Sequence, residues 1–415
     1  RLTTEDQPTD ALQSGKVGRE TSSVVVGVDS CTVGTEPDDR VKDLEVFDNL
    51  DNSVAPFLSD NNVSAAEEKV SPTPFLCKTW SNLQWNVNIT HEELINIVST
   101  MLSELLLKCL QKDPSNSPTN WDILDKQLSN FVRRISTLYR HENRFHNWRH
   151  ACHVTLGASY LMEKAQEDDL ETNFVDSNPW HRFTLVFAAL IHDAKHVGVS
   201  NKQLAMENNV LAQIYDGGSC LERQSINVAR SVFLEEFPEL SVVILQGNPL
   251  FMRYINSVIL ATDIMCKEVQ LDSKDKFSRS VENKSTSGDE TADVKIIRTE
   301  ATMEQLMLLA DVGHCAQQYE TFLRWNRAFY EECLLANLER RGFDPRSGWY
   351  AGQISFISDY VLALAERCDK LTLRRCGLRE GVEMNLMRWK VEGEAWTDRM
   401  VEETTPESLG VVSSV

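Results

Sequence analysis

From Thr90 onward apolar residues return every three or four positions, and this spacing restricts the fold more than any other feature of the chain. Leu94, Ile95, Val98, Met101, Leu102, Leu105 and Leu106 share one side of a helix. Thr90-His91-Glu92-Glu93 opens it as a capping box, in which hydroxyl and carboxylate each satisfy an end amide. Trp121, Leu124, Leu128, Phe131, Ile135 and Leu138 repeat the spacing after a Pro/Asn-rich turn. Similar patterns recur around 181–193, 205–215, 221–234, 249–262, 301–312, 317–340, 352–368 and 380–400. Neither strand alternation nor a fixed-length repeat follows residue 80. The spacing predicts an all-α fold, a compact multi-helix domain over residues 85–402. The polar, Ser/Lys/Asp-rich stretch 272–295 reads as a mobile insertion loop, and 403–415 as a tail.

Residues 1–80 are acidic, polar and without periodicity, so they bury too little apolar surface to offset their ordering and read as a disordered arm or linker. The run "SSVVVGV" (22–28) inside it is a candidate for an isolated strand. A net charge of −20 excludes nucleic acid or an anionic membrane surface as the main partner. It does not exclude a small anion, because a metal ion sets the field of its own pocket. Ten scattered cysteines without a C-x-x-C pair fit a reducing compartment, and the expected location is the cytoplasm. No apolar run reaches the roughly 18–20 residues needed to cross a bilayer. Because the chain begins at Arg1, a membrane-tethered parent protein is compatible with this.

All the histidines except His91 and His314 lie between 141 and 196. In a helix, His146 and His150 of "FHNWRH" would share a face, as would His192 and His196 of "IHDAKHVGVSN". Single aspartates stand among apolar residues in "LATDIM" (Asp263) and "LLADVGH" (Asp311). A carboxylate on a buried helical face needs a partner, since an uncompensated charge there costs several kcal/mol. One histidine pair is usually an ordinary hydrogen-bonded pair. Two pairs with a His-Asp step and a distant buried aspartate describe a divalent-metal site with open positions, the arrangement used for catalysis. A bridging aspartate would admit a second ion about 3.5–4 Å away. His91, His141 and His181 are assigned to surface or capping roles.

The sequence "HDAKHVGVSN" (192–201) fits every fixed position of H-D-x-x-H-x-G-x-x-N, and "HNWRHA" (146–151) fits H-N-x-x-H-A. With "ATD" (261–263), "LAD" (309–311) and "GQISFISDYV" (352–361) following in order, residues 85–400 resemble the class I 3′,5′-cyclic nucleotide phosphodiesterases of the HD-type metal phosphohydrolase superfamily. The resemblance implies hydrolysis of the 3′ phosphoester of cAMP, cGMP or both to the 5′ monophosphate, by a metal-bridged hydroxide. It implies His150, His192, Asp193 and Asp311 as ligands of a tightly held Zn²⁺. Asp193 would bridge to Mg²⁺ or Mn²⁺, and His196, Asn201, Glu222 and Thr262 would support the site. His146 would be the general acid. Gln353 would read the purine edge, with Phe356 and Phe329 enclosing the ring.

Several positions depart from the family pattern. Lys195 replaces an acidic residue and His314 a purine-side asparagine, while Phe145, His153, Glu268 and Ser355 also differ. None removes a metal ligand or the acid. They point to a distant branch, expected in a microbial eukaryote, where such domains are fused to cyclases or membrane segments. Two rivals stand beside this reading. Another HD-type nucleotide phosphohydrolase would not need the purine clamp of Gln353 and Phe356. A catalytically silent cyclic-nucleotide-binding or scaffold domain would not need intact His146 and four ligands.

Overall fold

A computed structural model describes residues 89–112, 120–166, 177–282, 291–371 and 377–411. The arm 1–80 and the candidate strand 22–28 lie outside the described residues. Fifteen α-helices and no strand occur among the described residues.

The first helix, α1 (His91–Lys112), starts as its capping box requires: the Thr90 amide donates to Glu93 Oε2 at 2.7 Å, and the Glu93 amide to Thr90 Oγ1 at 3.2 Å. Next come α2 (Trp121–Ser136), α3 (Trp148–Ala165) and α4 (Pro179–Ile191). The segment after α4 holds α5 (Asn201–Met206), α6 (Val210–Ile214) and α7 (Cys220–Ser231), which continues as a π-turn over Val232–Glu236. Then follow α8 (Pro238–Gly247), α9 (Phe251–Leu260), α10 (Lys267–Glu282) and α11 (Ala292–Asp311). A 3₁₀ turn, Gly313–Ala316, leads to α12 (Tyr319–Leu338), α13 (Trp349–Ser355), a π-turn over Phe356–Val361, α14 (Leu362–Leu371) and α15 (Leu378–Glu403).

Two helices are buried on nearly every side. In α4 all residues from Phe183 to Ile191 are buried, and in α11 all from Thr299 to Ala310. Helix α4 packs against α1, α3, α9 and α11, with Phe131 stacked on Phe187, and with Phe183, Phe233 and Phe251 meeting Phe187 at an angle or edge-on. A helix apolar all round is stable only inside the core. Both core helices end at polar residues, His192-Asp193 after α4 and Asp311 closing α11. Helix carboxyl ends carry partial negative charge, so they favour a cation there.

The sequence expectation fails in four places. Residues 272–282, expected in a loop, belong to α10, and helix resumes at Ala292; 283–290 lie outside the described residues. Polarity misled because α10 is held by charge: Lys276 pairs with Asp272 at 2.7 Å and with buried Glu304 at 2.9 Å, and Arg279 with Asp275 at 2.8 Å. The helix expected over 205–215 breaks between α5 and α6, where Asn208 adopts φ +50°. The described part of the expected tail is not loose, since Leu409 is buried and its carbonyl accepts from Arg144 Nη2 at 3.3 Å. His181 is a core residue, edge-on to Tyr254, rather than a surface one.

Candidate active site

The histidine pairs do not share helical faces. His146 precedes α3, whose N-cap is Asn147, and His196 lies in the turn beyond α4. Asn147 explains the break. Its Oδ1 accepts from the Arg149 and His150 amides at 3.0 and 3.2 Å, while its Nδ2 donates to the Asn143 and Arg144 carbonyls. An N-cap residue has extended backbone, so helix cannot begin earlier. Asn143 Nδ2 donates to the His146 and His196 carbonyls, at 2.9 Å each, tying the two segments together. Gly198 is needed beside them: at φ +74°, a Cβ would also lie 3.1 Å from Asn143 Oδ1.

Four donors meet where α3 begins and the two core helices end. His150 Nε2 lies 2.9 Å from Asp311 Oδ1 and 3.6 Å from Asp193 Oδ2; His192 Nε2 lies 3.1 Å from Asp193 Oδ2 and 3.6 Å from Asp311 Oδ1. Ligands at about 2.1 Å in a tetrahedron stand roughly 3.4 Å apart, so this spacing suits one ion. The chemistry of the donors agrees. His192 Nδ1 faces the Ala189 carbonyl at 2.8 Å and donates to it, which turns buried Nε2 toward the Asp193 and Asp311 carboxylate oxygens. Burial lowers the His192 pKa, but the two carboxylates outweigh it and raise the imidazole well above its usual range, so a cation is favoured at that point. Burial raises the carboxyl pKa of Asp311, but the hydrogen bonds from His150 and His192 outweigh it and hold the group well below its usual range. Asp193 is likewise depressed, with His192 outweighing burial. Among the described residues, His150, His192 and Asp193 thus form a group able to hold a divalent metal ion.

His146 meets a partner that the sequence reading missed. Glu332 of α12, 5% exposed, faces His146 Nδ1 through Oε1, and its Oε2 accepts from the Phe145 and His146 amides at 2.8 and 3.0 Å. Burial alone would lower the imidazole pKa, but the Glu332 carboxylate outweighs it and raises His146 to about 9. Burial opposes ionisation of Glu332 too, yet His146 brings it down to about 2. The His196 ring lies 3.9 Å from that of His146, and burial lowers it to about 4. A further buried imidazole pair lies behind His150. His153 bonds Gln317 at 3.0 Å, and burial lowers His153 to about 4 and His314 to about 3.

Asn201 is the hub of a second polar knot. Its Nδ2 donates to Glu222 Oε2 at 2.9 Å and Asp263 Oδ2 at 3.1 Å, and its Oδ1 accepts from the Leu221 amide. Asp263 Oδ2 also accepts from Ser219 Oγ, and its Oδ1 from the Cys266 amide, so this buried aspartate has its partners. Burial first, then the charge of Asp263, raises Glu222 to about 7. Thr262 is turned to its own helix, donating to the Ile259 carbonyl at 2.7 Å. Lys195 takes φ +66°, its amide donating to the Leu138 carbonyl, and its ammonium has no ion-pair partner among the described residues.

On the remaining side, Phe329 is 36% exposed and lies 5.2 Å from the Phe145 ring and 5.7 Å from that of Trp349, the first residue of α13. Gln353 follows one turn later with no hydrogen bond from its amide among the described residues, and Phe356 stacks on Tyr360 at 5.5 Å.

The model of a family described as 3'5'-cyclic nucleotide phosphodiesterase matches residues 145–375. A dual specificity calcium/calmodulin-dependent 3',5'-cyclic nucleotide phosphodiesterase 1C of Mus musculus is 23% identical over 224 residues, which is 52% of this chain and 29% of the relative. The cGMP-specific 3',5'-cGMP phosphodiesterase 3 of Dictyostelium discoideum is 24% identical over 248 residues, 57% of this chain and 49% of that one. The chain therefore spans less than two thirds of these relatives. The crystal structure of the phosphodiesterase domain of a RhoPDE fusion protein from the choanoflagellate Salpingoeca rosetta shares the fold. Its TM-score is 0.59 at 22% identity, covering 77% of this chain and 96% of that one.

Proposed function

The chain belongs to the 3′,5′-cyclic nucleotide phosphodiesterase family, and from that membership we propose that it hydrolyses cAMP, cGMP or both to the 5′ monophosphate. The observation that carries the reading is the meeting of four donors, His150, His192, Asp193 and Asp311, with His146 and Glu332 beside them.

His150, His192, Asp193 and Asp311 would hold Zn²⁺, whose preference for imidazole and carboxylate donors matches this set. Asp193 would share a harder Mg²⁺ or Mn²⁺, with Glu222, Asn201 and His196 ordering its surroundings. When bound, such ions supply an activated water and neutralise charge on the phosphoryl oxygens. The protein's own residues do the rest. His146 carries a proton, held as imidazolium by Glu332, and delivers it to the departing 3′ oxygen. Glu332 fixes the ring through the bond to Nδ1, which leaves Nε2 to face the leaving group. Phe329 and Phe356 would enclose the purine, and Gln353, whose amide is free to donate and accept, would pair with its edge.

Among the described residues no helix is long and apolar enough to cross a membrane. Work on a cytosolic messenger would place the chain in the cytoplasm, free or as part of a longer fusion such as the rhodopsin phosphodiesterase of Salpingoeca rosetta. Turnover of cAMP and cGMP by the purified chain, with and without a chelator, tests the reading. Metal-dependent release of 5′ monophosphate is expected. Tight binding of either nucleotide without turnover, in metal-replete buffer, would identify the silent binding domain instead.

A further inference from the structure

A second set of donors lies beside the four just described. One ligand atom from each of His146, His196 and Glu332 lies within 4.8 Å of the others. We propose that these three side chains form an additional divalent-ion site, selective for zinc-like ions over magnesium, whose occupation inhibits the enzyme. Two imidazoles and one carboxylate match zinc, whereas Mg²⁺ seeks an octahedron of oxygens.

Much of the site is oriented in advance. The Phe145 and His146 amides hold Glu332 Oε2, so Oε1 is presented to His146 before any ion arrives. The His146 and His196 ring centroids lie 3.9 Å apart with 32° between their planes, so a small rotation of one ring is needed to aim both nitrogens at one ion. The His146 side chain is 23% exposed, which gives a hydrated ion a way in. Binding also has costs. An ion at His146 Nδ1 releases to solvent the proton shared with Glu332. His196 Nδ1 already accepts from the Gly198 amide at 3.1 Å, so an ion at that nitrogen would have to displace this bond. The site is therefore weaker than the set of four and fills after it. Inhibition rests on the role proposed above for His146, because an ion shared with Glu332 replaces the carboxylate contact at Nδ1 that orients the ring and supports the acid at Nε2.

The test is metal content by equilibrium dialysis of the full chain against graded zinc at fixed magnesium, with Glu332→Gln, His196→Asn and His146→Ala in parallel. The parent should take up one zinc that each variant binds at least tenfold more weakly, with the tighter equivalents unchanged. Circular dichroism identifies any variant that fails to fold, and the remaining ones then decide. Parent turnover should fall in step with the last equivalent and return on its removal by a weak chelator. Equal zinc content in the parent and every folded variant across the titration overturns the site. An extra zinc bound as described by a chain that hydrolyses neither nucleotide would leave the ion site standing and remove the catalytic reading.

Discussion

The His146–Glu332 pair makes the sharpest demands on single residues. Replacing His146 by Ala leaves the four ligand donors in place, so metal content should persist while turnover falls by roughly 10²–10⁴-fold. Asp311→Ala should lose both, because it removes an oxygen that His150 approaches at 2.9 Å. Glu332→Gln tests the proton. Its carboxylate holds His146 near 9, above the ordinary 6.5, so the amide should move the alkaline limb of kcat downward toward 6.5. An unmoved limb would separate Glu332 from the acid. The stabilising part of the raised imidazole is full below pH 6.5 and lost as pH rises through about 9. That of the lowered carboxylate is full above pH 4.5 and lost as pH falls through about 2. His146 and the four donors were legible because their motifs are local in sequence. Glu332 sits 186 residues from His146, outside any of these motifs. Its signal was present, since it continues the buried α12 face of Trp325, the same anomaly that drew attention to Asp311.

At the level of elements, helix α15 grips the turn that follows Asp311. Asn385 Nδ2 donates to the Cys315 carbonyl at 2.9 Å and the Gln317 carbonyl at 2.7 Å. Gly381 allows the close approach, since a Cβ there would stand 2.3 Å from the Ala316 carbonyl oxygen. Asn385→Ala strands two buried acceptors and should cost about 1–3 kcal/mol, read as a lower denaturation midpoint with an unchanged slope. A midpoint equal to the parent's would mean that water or a shifted backbone satisfies those carbonyls. The docking of α15 was invisible in sequence because periodicity reports which face is apolar and not what it meets. Periodicity also placed α4, α9 and α12 well, yet it missed α10, whose order comes from ion pairs, and the cap at Asn147 that releases His146 from the helix.

For the molecule as a whole, an ion held as proposed would join what the chain keeps far apart. His150 lies in the first turn of α3, His192 and Asp193 follow α4, and Asp311 ends α11, so one ion there would link three helices through their termini. Without a metal ion the site gathers two carboxylates in a buried pocket, where their mutual repulsion and desolvation oppose folding. Ligand binding to the folded state alone stabilises it by about 2.7 kcal/mol when the free ion exceeds its Kd a hundredfold. Chelation should therefore lower the thermal midpoint by several degrees and broaden proteolysis at the termini of these three helices. Asp311→Ala should already melt lower and respond little to chelator. A parent midpoint indifferent to chelator would mean that the core helices hold the donors together unaided. Metal would then act only on chemistry, and the stability and turnover losses of Asp311→Ala would have separate origins.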